Sequence, residues 1–162
     1  MDTIYAWAAG FIDGEGTITL KRTKAPSSAT KIHYQPYVAL GQANHVGHYE
    51  AVRLLKELFG GSIYEYHPKP PRVNHLTWRV VSQDAIKCLE KVRPYLKVKQ
   101  RHADLIISYY QTAGQKPKKY RLSEEEIKRR ENIWEELRSI NQKGKIHLQR
   151  LSEMTAKTKP MQ

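Results

Sequence analysis

Between residues 17 and 81 four short runs alternate apolar and polar side chains, in two pairs with a helix-period segment between them. A period of 2 marks strands that bury one face. In TITLKRTK (17–24), Ile18 and Leu20 share one face while Thr17, Thr19, Lys21 and Thr23 share the other. In YQPYVALGQA (34–43), Val38 and Leu40 face inward, and SIYEYH (62–67) and LTWRVV (76–81) make the second pair. Only PSSAT (26–30) and the proline-rich PKPPRVN (68–74) separate the members of each pair. Such links form hairpins, so the sheet is expected to be antiparallel.

The remaining segments read as helices. Ile4, Trp7, Ala8 and Phe11 sit at i, i+3, i+4 and i+7, which predicts an amphipathic first helix ending at IDGEG (12–16). A second runs over roughly 46–59, with Val52, Leu55, Leu58 and Phe59 inward and Gly60-Gly61 as its stop. Ser82 is expected to cap a helix bearing Ile86, Leu89 and Val92 that Pro94 ends. The next carries Ala103, Ile106, Ile107 and Tyr110 and stops at Gly114. Ser123 and Glu126 make a capping box for a helix through Ile133, Trp134, Leu137 and Ile140, with a short one expected at about 146–154. The fold class is α+β: an α-β-β-α-β-β-α core with helices on one face of a four-stranded antiparallel sheet, and C-terminal helices. Residues 1–115 form that core; 116–162 form a basic linker and a helical extension packed on the same domain.

A chain of 162 residues with 40% hydrophobic side chains has a real core and room for one domain with a tail. It has no apolar run near the roughly 18 residues of a membrane helix, and MDTIYAWAAGF lacks the basic start of a signal peptide. One cysteine, Cys88, excludes a disulfide framework and a cysteine-based zinc site, and suits a reducing intracellular compartment. With 28 Lys and Arg against 16 Asp and Glu, the net charge is +12. Residues 83–122 alone carry ten basic and three acidic side chains, including RPYLKVKQR (93–101) and KPKKYR (116–121). The expected partner is a polyanion, nucleic acid being the commonest. The Thr, Lys, Tyr and Arg face of the sheet is its candidate groove.

The first helix carries a second stripe, Ala6, Ala9, Gly10 and Asp13, whose small members permit close approach to a neighbour. Asp13 and Glu15 follow at the helix's C-terminal end, where the dipole disfavours carboxylates. Acids so placed on a basic protein invite a cation, and hard oxygen ligands suit Mg²⁺ or Ca²⁺. Asp13 also reads as a cap or ion-pair partner; Glu15, held between two glycines, does so less well. The glycines of GFIDGEG follow a helix and lack the spacing of a dinucleotide-binding loop.

AWAAGFIDGEGTI (6–18) resembles the LAGLIDADG homing endonuclease motif, and PYLKVKQ (94–100) resembles that family's Pro-Tyr-Leu-x-x-Lys segment. The similarity spans roughly residues 3–112. It implies a site-specific, metal-dependent DNA endonuclease of the intron-homing type that makes double-strand breaks by phosphodiester hydrolysis. By the same resemblance Glu15 is the catalytic metal ligand, with the Gly14 carbonyl as a further ligand. The implied ion is Mg²⁺; Mn²⁺ or Ca²⁺ can occupy the site, Ca²⁺ without cleavage. Lys99, with Lys97 beside it, matches the lysine near the scissile phosphate. The family's water-organising Gln aligns with Asn44, one methylene shorter, with Gln42 as the alternative. His48 matches a basic position early in the following helix, and reads equally well as an exposed helix-start histidine.

The motif occurs once, and single-motif members of the family are homodimers that pack their motif helices on the symmetry axis. Ala6, Ala9, Gly10 and Asp13 are then the expected interface. A 162-residue domain is about 40 Å across and spans about a dozen base pairs, shorter than family targets. The resemblance therefore implies a nearly palindromic double-stranded DNA site shared by two chains, with no membrane and no small-molecule substrate. Candidate base readers are Thr19, Lys21, Thr23, Gln35, Tyr37, Tyr64, Tyr66, Thr77 and Arg79. Thr and Tyr are also simply good strand formers, so about half are expected to touch bases. A splicing maturase binding RNA and a non-cleaving DNA-binding regulator are the alternatives; neither needs to keep Glu15 and Lys99.

Overall fold

The computed structural model describes residues 2–24, 32–45, 47–113 and 123–141. Helix α1 (Asp2–Glu15) runs straight into β1 (Gly16–Lys24), followed by β2 (Ile32–Ala43) and α2 (His48–Phe59). Strands β3 (Ser62–Tyr66) and β4 (His75–Val81) lead to α3 (Ser82–Val92), a single 3-10 turn (Arg93–Tyr95), α4 (Gln100–Ala113) and α5 (Glu124–Asn141). The four strands form one antiparallel sheet in the order β1-β2-β4-β3.

Strand alternation sorts the two faces as expected. Ile18, Leu20, Val38, Leu40, Leu76, Trp78 and Val80 are buried beneath the helices. Alternating with them, Thr19, Lys21, Gln35, Tyr37, Thr77 and Arg79 line the opposite face. Trp78 lies at the centre of the core, and its Nε1 donates to the Gly60 carbonyl at 2.9 Å, satisfying the one polar atom it buries. A side chain at Gly61, where φ is 84°, would meet the Arg79 carbonyl at 2.3 Å, so the turn from α2 into β3 requires glycine.

The orientation of α1 differs from the expected one. Its core face is Tyr5, Ala8, Ala9 and Ile12, with the last three fully buried, while Trp7 is 38% exposed. The small residues allow α1 to lie close over the rest of the core; Phe11 packs part-buried against it as expected, and the bulky Trp7 lies outside, its ring 5.6 Å from that of Phe11. Ala9 therefore has no surface for another chain. Ser82 also departs from expectation: it takes φ 54° at the first position of α3, caps nothing with its side chain, and accepts from Gln35 Nε2 at 3.0 Å.

The box at α5 forms by half. The Glu126 backbone N–H donates to Ser123 Oγ at 3.3 Å, but the Glu126 carboxylate turns to Arg129 and Arg130 instead of returning to the cap. Helix α5 covers the free edge of β1, with Arg22 paired to Glu131 and Asn141 Nδ2 donating to the Ile18 carbonyl at 3.3 Å. The expected loop at 26–30, linker at 116–122 and helix at 146–154 lie outside the described residues. No helix among the described residues is long and apolar enough to cross a membrane.

Candidate active site

The site is built around the point where α1 becomes β1. A side chain on Gly16 would lie 2.7 Å from the Ile12 carbonyl, so only glycine lets the helix turn directly into the strand. Glu15, the last helical residue, is left exposed, and its carboxylate makes no hydrogen bond or ion pair among the described residues.

Asp13 does not stay on the outer stripe. Its carboxylate accepts from the backbone N–H groups of Lys97 at 2.6 Å, Val98 at 3.1 Å and Lys99 at 2.9 Å, just ahead of α4. In return, Lys99 Nζ donates to the carbonyls of Ile12, at 3.1 Å, and Asp13. The negative end of α1 thus receives an ammonium group, and the positive end of α4 receives a carboxylate. Burial pushes the Asp13 carboxyl up, but the three N–H groups and the Lys99 charge outweigh it, and the pKa lies below the usual carboxylate range. The feature that looked like a misplaced acid is a cap on a helix some 85 residues further along.

Lys99 is only 9% exposed, and its bonds to the Ile12 and Asp13 carbonyls hold its ammonium group at the end of the helix that displays Glu15. Lys97 is exposed beside it. Behind them His102 is buried, with Nδ1 unpartnered; burial, then the Lys99 charge, lowers its pKa.

The end of β2 adds the polar groups expected there. Gln42 pairs in register with Leu76 on the helix side of the sheet and lines a groove with Ala6, Trp7, Gly10 and Phe11 of α1 and with His48. The His48 Nδ1–H donates to the Ala43 carbonyl at 2.8 Å, which anchors the start of α2. Asn44 Nδ2 donates to Glu65 Oε1 at 2.6 Å, and Asn44 is exposed.

The open face of the sheet carries the rest. Lys21 Nζ lies 3.7 Å over the Tyr37 ring, and the Arg79 guanidinium lies 3.9 Å over that of Tyr64 and donates to its hydroxyl. Hydrogen bonds from Ser62 and Arg79 hold the Tyr64 phenol below the ordinary tyrosine range. These pairs rim a recess that also takes in Gln35 and Asp84. Tyr66 is 63% exposed; Thr23 is exposed and donates to the His33 carbonyl at 3.5 Å. Thr19 and Thr77 are part-buried in the same face. The sequence does not single out Ser62 and Asp84 here, nor Glu65, which pairs with Leu76 on the helix side of β3. Ser62 was findable, since it lies two residues before Tyr64 and so shares its face.

Among the described residues no three His, Cys, Asp or Glu side chains group as a metal cage. One carboxylate and the carbonyls at a helix end offer hard oxygen donors of the kind Mg²⁺ or Ca²⁺ takes. An ion held there would complete its shell with water or with oxygens of a substrate.

A sequence model of the LAGLIDADG endonuclease family matches residues 8–121. Among solved structures, the chain is similar to the archaeal intron-encoded homing endonuclease I-Vdi141I complexed with DNA, with a TM-score of 0.69 and 21% identity, covering 88% of this chain and 87% of that one. The homing endonuclease I-CvuI in complex with the I-CreI target gives 0.67 and 17%, covering 89% and 86%. The meganuclease I-SmaMI bound to DNA gives 0.64 and 17%, covering 78% of this chain but 42% of that one. At these identities the likeness shows the fold. No curated protein matches the chain.

Proposed function

The chain belongs to the LAGLIDADG endonuclease family, and from that premise we propose that two copies form one homing endonuclease that makes a double-strand break at a long, nearly palindromic DNA site. The observation that carries this reading is the Lys99 ammonium group bound to the last carbonyls of the helix that ends at the exposed Glu15, with a sheet face of cations and aromatic rings on the same chain.

Glu15 and the Gly14 carbonyl fit a divalent cation in donor type, and Glu15 is exposed with no competing partner among the described residues. When bound, the ion stabilises charge on the phosphate and lowers the pKa of an attacking water. Lys99 adds fixed positive charge at the same place. Asn44 and Gln42 supply amides at the end of β2 to orient that water, Asn44 being the position that aligns with the family's glutamine. Lys21, Gln35 and Arg79 offer the donors and forks that read base edges, with Tyr37 and Tyr64 holding two of them in place.

The second copy follows from the outer face of α1. With Ala9 inward and Asp13 capping α4, that face reduces to Ala6, Gly10 and Gly14, spaced by one helical turn, with Trp7 alongside. A side chain at Gly10 or Gly14 would meet nothing within 4 Å, so packing within one chain does not account for either glycine. A second α1 crossing there brings the two Glu15 side chains together, one for each DNA strand. The chain's match to less than half of I-SmaMI agrees with such a half-unit.

Lys99 has a structural use as the cap of α1 in any relative, but an exposed, unpaired Glu15 at the same helix end has none in a non-cleaving one, which favours the nuclease over an RNA-binding or regulatory role. Incubating the protein with a randomised duplex library and Mg²⁺, then sequencing the cleaved ends, tests the reading. Paired breaks within near-palindromes support it; an uncut library contradicts it.

A further inference from the structure

Glu65 is an exposed acid on a chain whose net charge of +12 otherwise suits a polyanion. It is exposed on β3, and an unoccupied acid near phosphates weakens binding. The acid is occupied, however. Its Oε1 accepts from Asn44 Nδ2 at 2.6 Å, the short distance of a charge-assisted hydrogen bond. The register explains how the two meet: Leu76 of β4 pairs with Gln42 on one side and with Glu65 on the other, so β3 brings its acid alongside the end of β2. The Asn44 backbone is tied separately, its N–H donating to the Asn74 carbonyl at 2.7 Å.

Chemistry decides which way the amide faces. An ionised carboxylate only accepts hydrogen bonds, so Asn44 must turn its NH₂ toward Glu65, and Oδ1 is left as the outward acceptor. An acceptor is what a water needs when it is aligned to attack phosphorus. Asparagine is one methylene shorter than the glutamine it replaces, and an anchor from the next strand but one compensates for lost reach by fixing direction.

We infer that Glu65 is a positioning residue: it holds the Asn44 amide in the orientation that leaves Oδ1 to accept a hydrogen bond from the attacking water. This rests on the reading of Asn44 as the water-orienting residue. It opposes what charge alone demands. If Glu65 is only a surface acid, removing it strengthens DNA binding and leaves or improves cleavage. As a positioning residue, its removal slows cleavage while binding holds or tightens.

The test uses the full-length protein and the duplex recovered from the randomised library, with binding and single-turnover cleavage measured separately. Glu65→Ala is expected to cleave roughly tenfold more slowly, the scale set by a misdirected orienting group, with affinity equal or higher. Glu65→Gln keeps an acceptor oxygen and is expected within about threefold of wild type. In an Asn44→Ala background, Glu65→Ala is expected to add nothing. Glu65→Ala cleaving at the wild-type rate, or slowing Asn44→Ala by the same factor, overturns the inference while leaving the role of Asn44 intact. Asn44→Ala cleaving at the wild-type rate overturns that role, and the inference with it.

Discussion

Asp13 and Lys99 cap each other's helices: the Asp13 carboxylate takes the Lys99 backbone N–H at 2.9 Å, and Lys99 Nζ takes the Asp13 carbonyl. The exchange ties the end of α1, where Glu15 is exposed, to the start of α4. Asp13→Asn keeps the size but weakens the acceptor, and is expected to cost about 1–2 kcal/mol, the range of a lost cap. Because the Asp13 pKa is lower folded than unfolded, its stabilisation is fully present above about pH 4 and drains away as pH falls through the folded value. Urea denaturation at pH 7 should separate the two proteins, and at about pH 3 the gap should shrink. An equal gap at both values would count against the cap.

Gly10→Leu separates fold from assembly. Nothing lies within 4 Å of a side chain added there, and replacing a mid-helix glycine removes roughly 0.5–1 kcal/mol of entropic penalty. The chain should therefore fold at least as stably, yet sediment as a monomer of 18.8 kDa. A normal dimer from this variant would remove α1 from the interface.

Arg79 is braced by the ring and hydroxyl of Tyr64. Its fork suits the paired acceptors of a guanine edge. Arg79→Ala should relax base preference at one position in each half-site by about 1–3 kcal/mol, symmetrically, with little effect elsewhere. Selection on a randomised duplex would reveal it, and uniform weakening at all positions would point to a phosphate contact instead.

Strand faces were legible because a period of 2 leaves no choice once Ile18 and Leu20 are inside; Lys21, Tyr37 and Arg79 then had to share the open side. The rotation of α1 was not legible. Side-chain size points Trp7 inward, whereas close packing of the helix buries Ala9 and leaves Trp7 outside; Ala8 and Phe11 face the core as expected. The partners of Asp13 lie more than 80 residues away, and no local pattern announces them. Ser82 reads locally as a cap, but Gln35 of β2 donates to its hydroxyl. What the sequence shows poorly is contact between distant elements, and the candidate site is made of such contacts.

The most direct measurement is cleavage by Glu15→Gln beside wild type on one recovered duplex, with Mg²⁺ present and binding followed in parallel. Glutamine keeps the shape of Glu15 and loses the charge that holds a cation. The expected result is binding close to wild type with strand cleavage abolished. Unchanged cleavage by Glu15→Gln would contradict the account.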